Sequence, residues 1–161
     1  DLYIKPVSLS AIVHEVNREN KRFYIRNQVY PKVETAGEDI LVQTDEKWLL
    51  FMLTQLVINA VKYSVGKSGS IVIAVYAKNN EAVLEVTDFG VGIPDVDQRR
   101  VFDAFYTGEN GRKFRESTGM GLYLVKEAAE RLEHRIEMES VWNEGTTFRI
   151  IFSATQYLTA V

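Results

Sequence analysis

Apolar residues along this chain switch between two periods, and the switches outline the elements. Residues 8–24 (SLSAIVHEVNRENKRFY) put Ile12, Val13 and Val16 on one helical face behind serines suited to capping, so one helix is expected there. Residues 25–44 read as short strands around Pro31 and Gly37, ending in ILVQTD. Asp45 then caps a long helix, EKWLLFMLTQLVINAVKYS, with Leu49, Met52, Leu53, Leu56 and Ala60 as its buried stripe. Past a GKSG loop, SIVIAVYAK and EAVLEVTD alternate with strand period and meet at Asn79-Asn80, a hairpin signal. The loop DFGVGIPD, a short helix near 95–104 and a polar, glycine-bearing loop over 106–118 follow. GLYLVKEAAERLEH returns to helical period, and RIEMESV with TTFRIIFS makes a last hairpin around Asn143-Glu144-Gly145. The sum is an α+β fold, a two-layer α/β sandwich with one mixed sheet covered on one face by about three helices. No internal repeat or low-complexity linker interrupts the pattern, so residues 1–161 are expected to form one domain.

Composition changes this picture only by exclusion. Apolar residues make up 46% and charged residues 25% of 161, an ordinary globular balance. A net charge of -3 gives no global field for nucleic acid. The absence of cysteine removes disulfides, thiolate metal sites and cysteine nucleophiles. With only His14 and His134, a histidine-rich metal site is disfavoured. No apolar run reaches the roughly 18 residues that span a bilayer. The chain opens at Asp1 without a methionine, which reads as a piece of something longer.

The long helix holds an oddity. Gln55, Asn59, Lys62 and Tyr63 fall at i, i+4, i+7 and i+8, so polar side chains also share a face. An Asn carbonyl is a hard oxygen donor suited to Mg²⁺, and Lys62 is a point charge suited to phosphate. A solvated helix face ending in a dipole-complementing lysine accounts for the same residues. In DFGVGIPD, Asp88 shares a strand face with Leu84 and Val86, where a carboxylate is costly unless paired. A base with an exocyclic amine is one such partner, and Gly90 and Gly92 let backbone approach a flat ring. Glycines chosen only for positive φ are the plainer account. STGMGLYLV sets Ser117, Thr118, Gly119 and Gly121 at a helix start, where free N–H groups favour phosphate, although a simple N-cap does as well. Neither a Walker loop nor a protein-kinase motif set accompanies DFG.

Taken in order, the polar-faced helix, the strand leading into DxGxG, and the loop feeding TGxGL into a helix resemble one family. It is the ATP-binding catalytic domain of bacterial sensor histidine kinases, whose Bergerat-type fold is shared with gyrase, MutL and the ninety-kilodalton heat-shock chaperone. The resemblance spans residues from about 8 to 153. It implies ATP and Mg²⁺ as cofactors, with Asn59 as the metal ligand and Lys62 and Tyr63 facing phosphates and sugar. It assigns the adenine amino group to Asp88, with Gly90, Gly92 and Ile93 in the same box and Thr146 near the base. Phe102 and Phe105 resemble the aromatic box anchoring one end of an ATP lid, in which Lys113 and Arg115 could reach the γ-phosphate. Thr118, Gly119, Gly121 and Leu122 match the segment that meets the triphosphate.

The resemblance implies a protein-histidine kinase of a two-component system, passing the γ-phosphoryl group to a histidine on a separate dimerisation domain. Its partners would be that domain, in a homodimer of the full-length protein, a response regulator, and an ABC transporter. Its place would be the cytoplasmic side of a bacterial membrane protein. Two positions depart from the family: Gln55, where Asn is common, and Ser117, where Gly is common. In the ATP-hydrolysing relatives the residue at Gln55 is a glutamate that activates water, a role a neutral amide cannot fill. His14-Glu15 imitates the phosphoacceptor box H-E-x-K-x-P, but Asn17 and Glu19 replace its lysine and proline. His14 is therefore expected to be an ordinary first-helix histidine, with no catalytic phosphoacceptor in the chain. YTGENGR resembles the intramembrane-sensing kinases linked to peptide-antibiotic transporters. A serine kinase of the anti-sigma-factor type and a nucleotide-binding module without catalysis stand as alternatives.

Overall fold

Proline positions sort the strands of the computed structural model, which describes residues 1–104, 106 and 120–158. Pro6 lies in β1 (Ile4–Ser8) and Pro31 in β2 (Tyr30–Thr35), and both strands are sheet edges, where a missing N–H breaks no central ladder. The larger sheet has five strands in the order β2, β4 (Ser70–Lys78), β5 (Glu81–Asp88), β7 (Gly145–Phe152), β6 (Arg135–Val141). β2 and β4 run parallel and the other neighbours antiparallel, which makes the sheet mixed as expected. Asn79 and Asn80 both take positive φ (54° and 66°), the geometry of a tight hairpin turn between β4 and β5.

Asp45 ends β3 (Leu41–Asp45) and caps α3 (Glu46–Ser64) at the expected residue. One carboxylate oxygen accepts from Trp48 N–H at 3.0 Å and the other from Tyr3 N–H at 2.7 Å. Burial alone raises the Asp45 pKa, but these N–H groups win and hold it below the usual carboxylate value. Leu49, Met52, Leu53, Leu56 and Ala60 are buried as expected, and Val57 and Val61 join them. α1 (Leu9–Glu19), α3 and α5 (Gly121–Leu132) form the layer over the sheet, with the hydrophobic core between the two.

Four expectations need correction. The single helix over 8–24 is two, α1 and α2 (Lys21–Asn27). Asn20 ends α1 by donating to the Val16 carbonyl from both its backbone N–H (3.0 Å) and its side-chain amide (2.8 Å), while Ser8 caps the start by accepting from Ala11 N–H. Residues 25–27, expected as strand, are the last turn of α2. The helix near 95–104 is the short α4 (Asp95–Gln98) followed by turns. A second sheet in the order β1, β3, β8 (Tyr157–Leu158) adds to the one expected.

A buried histidine ties the layers together where α5 ends. His134 Nδ1 lies 3.0 Å from Gln156 Oε1, which can only accept, so Nδ1 carries the proton and Nε2 accepts from the Thr44 hydroxyl at 2.7 Å. The Gln156 amide is oriented by donating to the Leu132 and Glu133 carbonyls. The His134 ring also packs on Phe152, centroids 4.5 Å apart. Burial pushes the His134 pKa down to about 4.

Candidate functional site

The site begins with a row of side chains across the end of the five-stranded sheet. Ser140, Thr146 and Asp88 are paired in register across β6, β7 and β5. Leu84 and Val86 precede Asp88 on the helix-facing side, and the row turns polar only at its end. Asp88 is 3% exposed and Thr146 2%, so both are core positions by burial. Burial pushes the Asp88 pKa up to about 6; the N–H groups of Gly90 and Thr146 pull the other way without cancelling it. The Gly90 bond to Asp88 Oδ1 measures 2.9 Å.

Helix α3 reaches the same corner with its polar face. Gln55, Asn59, Lys62 and Tyr63 are all half-buried. Burial first, then the charges of Asp88 and Asp97, push the Tyr63 phenol up to about 12. The last turn of α3 therefore stands within electrostatic reach of the carboxylate at the end of β5. Gln55 lies against α5: a Cβ on Gly121 would sit 2.6 Å from Gln55 Oε1.

The glycines of the DFGVG loop make room for neighbouring main chain, and Gly92 also takes the positive φ of the plainer account. A Cβ on Gly90 would meet the Tyr63 carbonyl oxygen at 2.1 Å, and Val91 N–H donates to that same oxygen at 3.2 Å. Gly92, at φ 73°, leaves room for the Val141 carbonyl, which a Cβ would approach to 2.2 Å. These two glycines admit neighbouring main chain, so their presence alone does not speak for a flat ring. Ile93 is buried and its N–H donates to Ser140 Oγ at 2.7 Å.

The lid-side residues are reached only in part. Phe102 packs edge-on against Phe148 with centroids 6.0 Å apart, beneath the Lys126 ammonium at 5.7 Å. Leu122 packs against the core. Phe105, Lys113, Arg115, Ser117, Thr118 and Gly119 lie outside the described residues. His14 is exposed on α1, as an ordinary surface histidine would be.

Sequence reasoning missed Ser140, Gln98 and Asp97. Gln98 donates to the Ile93 carbonyl at 2.9 Å and the Ser140 carbonyl at 3.1 Å, fastening the DFGVGIPD loop to β6. The signal for Ser140 was present: it follows Ile136 and Met138 on the half-buried side of an alternating strand, where a hydroxyl needs partners.

Fold and sequence together place the chain in one class of ATPase domain. The chain belongs to the histidine kinase-, DNA gyrase B- and HSP90-like ATPase family, whose model matches residues 44–156. It is 49% identical over 152 residues to "Sensor histidine kinase YxdK" of Bacillus subtilis (strain 168), covering 94% of this chain and 46% of that one. It is 38% identical over 152 residues to "Sensor protein BceS" of Halalkalibacterium halodurans, covering 94% and 44%. The chain thus spans a little under half the length of these relatives. Among solved structures, the catalytic domain of histidine kinase ThkA superposes with a TM-score of 0.80 at 22% identity, covering 94% of this chain and 95% of that one. Full-length ShkA in complex with AMPPNP gives 0.83 at 18%, covering 100% and 32%. Both likenesses establish the α+β fold.

Proposed function

We propose that this domain binds Mg²⁺-ATP between α3 and the 106–118 segment, with adenine at Asp88, and donates the γ-phosphoryl group to a histidine on a separate dimerisation domain. The carrying observation is Asp88: a carboxylate almost wholly buried at the end of an apolar row, with its pKa raised. An exocyclic amine on a bound base supplies a further donor to a carboxylate whose bonds from the Gly90 and Thr146 N–H groups do not offset its burial. Thr146 is its cross-strand neighbour, and Tyr63 closes the corner.

Asn59 supports a shared metal. It is half-buried in the middle of the polar face of α3, and its carbonyl is a hard donor. No group of three or more His, Cys, Asp or Glu able to hold a metal occurs among the described residues. That donor set fits Mg²⁺ held mainly by phosphates and water, with one protein oxygen. When bound, the ion would neutralise phosphate charge. The chain's own part is to seat the base, orient the triphosphate and keep water idle, since Gln55 is no base. In the transfer, the bond from the γ-phosphorus to the bridging oxygen of ADP breaks and a bond to an imidazole nitrogen forms. Lys62 and the lid cations Lys113 and Arg115, with Thr118, Gly119 and Gly121, would line the phosphate side.

In the longer protein we assign a response regulator as the next acceptor, a homodimer through the dimerisation domain, and an antibiotic-peptide ABC transporter as upstream partner. The likeness to sensor histidine kinase YxdK and sensor protein BceS supports the response regulator; the transporter rests on the YTGENGR resemblance. The setting would be the cytoplasmic side of a membrane protein; among the described residues no helix is long and apolar enough to cross a membrane.

Calorimetry tests the site: wild type should bind ATP with Mg²⁺, and Asp88→Asn should not. Unchanged affinity in Asp88→Asn would overturn the adenine assignment. Transfer of labelled phosphate to a separate histidine-bearing domain should be acid-labile; acid-stable phosphoserine would favour a serine kinase, and binding without transfer a non-catalytic module.

A further inference from the structure

One serine hydroxyl beside the base-recognition corner has all of its hydrogen-bonding capacity engaged. Ser140 Oγ accepts from Ile93 N–H at 2.7 Å, lies 3.2 Å from the Gly145 carbonyl oxygen, and lies 2.7 Å from Thr146 Oγ1. A hydroxyl has one proton and two lone pairs. The Ile93 N–H takes one lone pair. A carbonyl oxygen can only accept, so the serine proton belongs to Gly145. The remaining lone pair then receives the Thr146 proton. The reverse sense, with Ser140 donating to Thr146, leaves the Gly145 contact unmade.

We propose that Ser140 is a positioning residue that sets the base preference of the site by fixing the polarity of the Thr146 hydroxyl. With its proton held by Ser140, Thr146 offers only lone pairs, next to Asp88 in the same cross-strand register. The wall facing the purine edge is then made of acceptors side by side. It suits a purine carrying an exocyclic amine, whose N–H groups are both donors, and offers no such bond to a purine that lacks the amine. This inference rests on the ATP-site reading above, and it adds a residue that touches no ligand itself. The anchor is rigid because Gln98 fastens the same segment from the other side, donating to the carbonyls of Ile93 and Ser140.

The test is calorimetric titration of wild type, Ser140→Ala and Ser140→Thr with Mg-ATP and with the Mg complex of purine riboside triphosphate, whose base differs from adenine only in lacking the exocyclic amine. Wild type should prefer ATP. Ser140→Ala frees the Thr146 proton to point at the amine, and the affinity ratio of ATP to purine riboside triphosphate should fall about tenfold, the effect of one hydrogen bond changing sense at a buried site. Ser140→Thr, which restores the hydroxyl, should recover the ratio. Equal weakening of both nucleotides in Ser140→Ala means a merely structural serine and overturns the proposal. Should that variant not fold, Thr146→Val, which keeps the shape without the hydroxyl, should narrow the ratio in its place; an unchanged ratio there has the same force. Failure of wild type to bind either nucleotide would instead sink the ATP-site reading.

Discussion

Replacing Asp88 by Asn in the ligand-free domain removes a charge that the fold holds at a cost, and the structure sets the size and the pH window of the effect. Asp88 rises from 3.8 to about 6 on folding, so the native state binds its proton more tightly than the unfolded chain does. The stability this contributes is complete below pH 3.8 and is lost as pH rises through 6, about 3 kcal/mol in all at about 1.4 kcal/mol per pH unit. His134 runs the other way. Its pKa falls from 6.5 to about 4, so its contribution is complete above pH 6.5 and is lost as pH falls toward 4, again about 3 kcal/mol. Between pH 4 and 6 the two slopes oppose each other, and the wild-type profile is flattened by their cancellation. Asp88→Asn unmasks the histidine. Urea unfolding at intervals from pH 4 to 7 should show the variant close to wild type at pH 4 and progressively more stable above it. The gain should approach about 3 kcal/mol at pH 7, less whatever the amide loses at the Thr146 N–H. A difference between the two proteins that stays constant across the window would refute the reasoning, because a burial effect on an ionisable group must titrate.

Thr44→Val leaves His134 Nε2 buried without its donor, and should lower unfolding free energy by about 1–3 kcal/mol in denaturant titration. Gly90→Ala would force a Cβ to 2.1 Å from a main-chain oxygen, so its thermal midpoint should collapse. Gly66→Ala, in open space at φ 81°, should cost only about 1 kcal/mol of backbone strain, which separates steric from conformational effects. Asn59→Asp should change the Mg²⁺ dependence of ATP affinity measured by calorimetry with and without the ion; identical dependence would remove Asn59 from the metal site.

The elements that sequence reasoning located well are those in which period and boundary residue agree. Asp45 before a long apolar stripe, and Asn79-Asn80 between alternating runs, leave one local conformation each. The split at Asn20 escaped because helical periodicity continues through it; only the side chain's bond back to Val16 stops the helix, and a short polar residue makes such bonds in many places. The second sheet escaped although ILVQTD reads as a strand, because its partners β1 and β8 span five and two residues, too few for a period to show. Asp88 was legible as an ionisable group ending an apolar strand face. Ser140 was legible only as a hydroxyl on a half-buried strand face; its partners, and the role of Gln98, depend on how β6 lies beside the DFGVGIPD loop, a property of the folded sheet.

The Asp45 carboxylate has a mechanical consequence. One oxygen grips the first turn of α3 and the other grips the backbone at Tyr3, just ahead of β1. Both bonds come from one side chain that is 5% exposed. The backbone at Tyr3 and the first turn of α3 are therefore tied to a common point, and a shift of either is felt at the start of the helix that carries Gln55, Asn59, Lys62 and Tyr63.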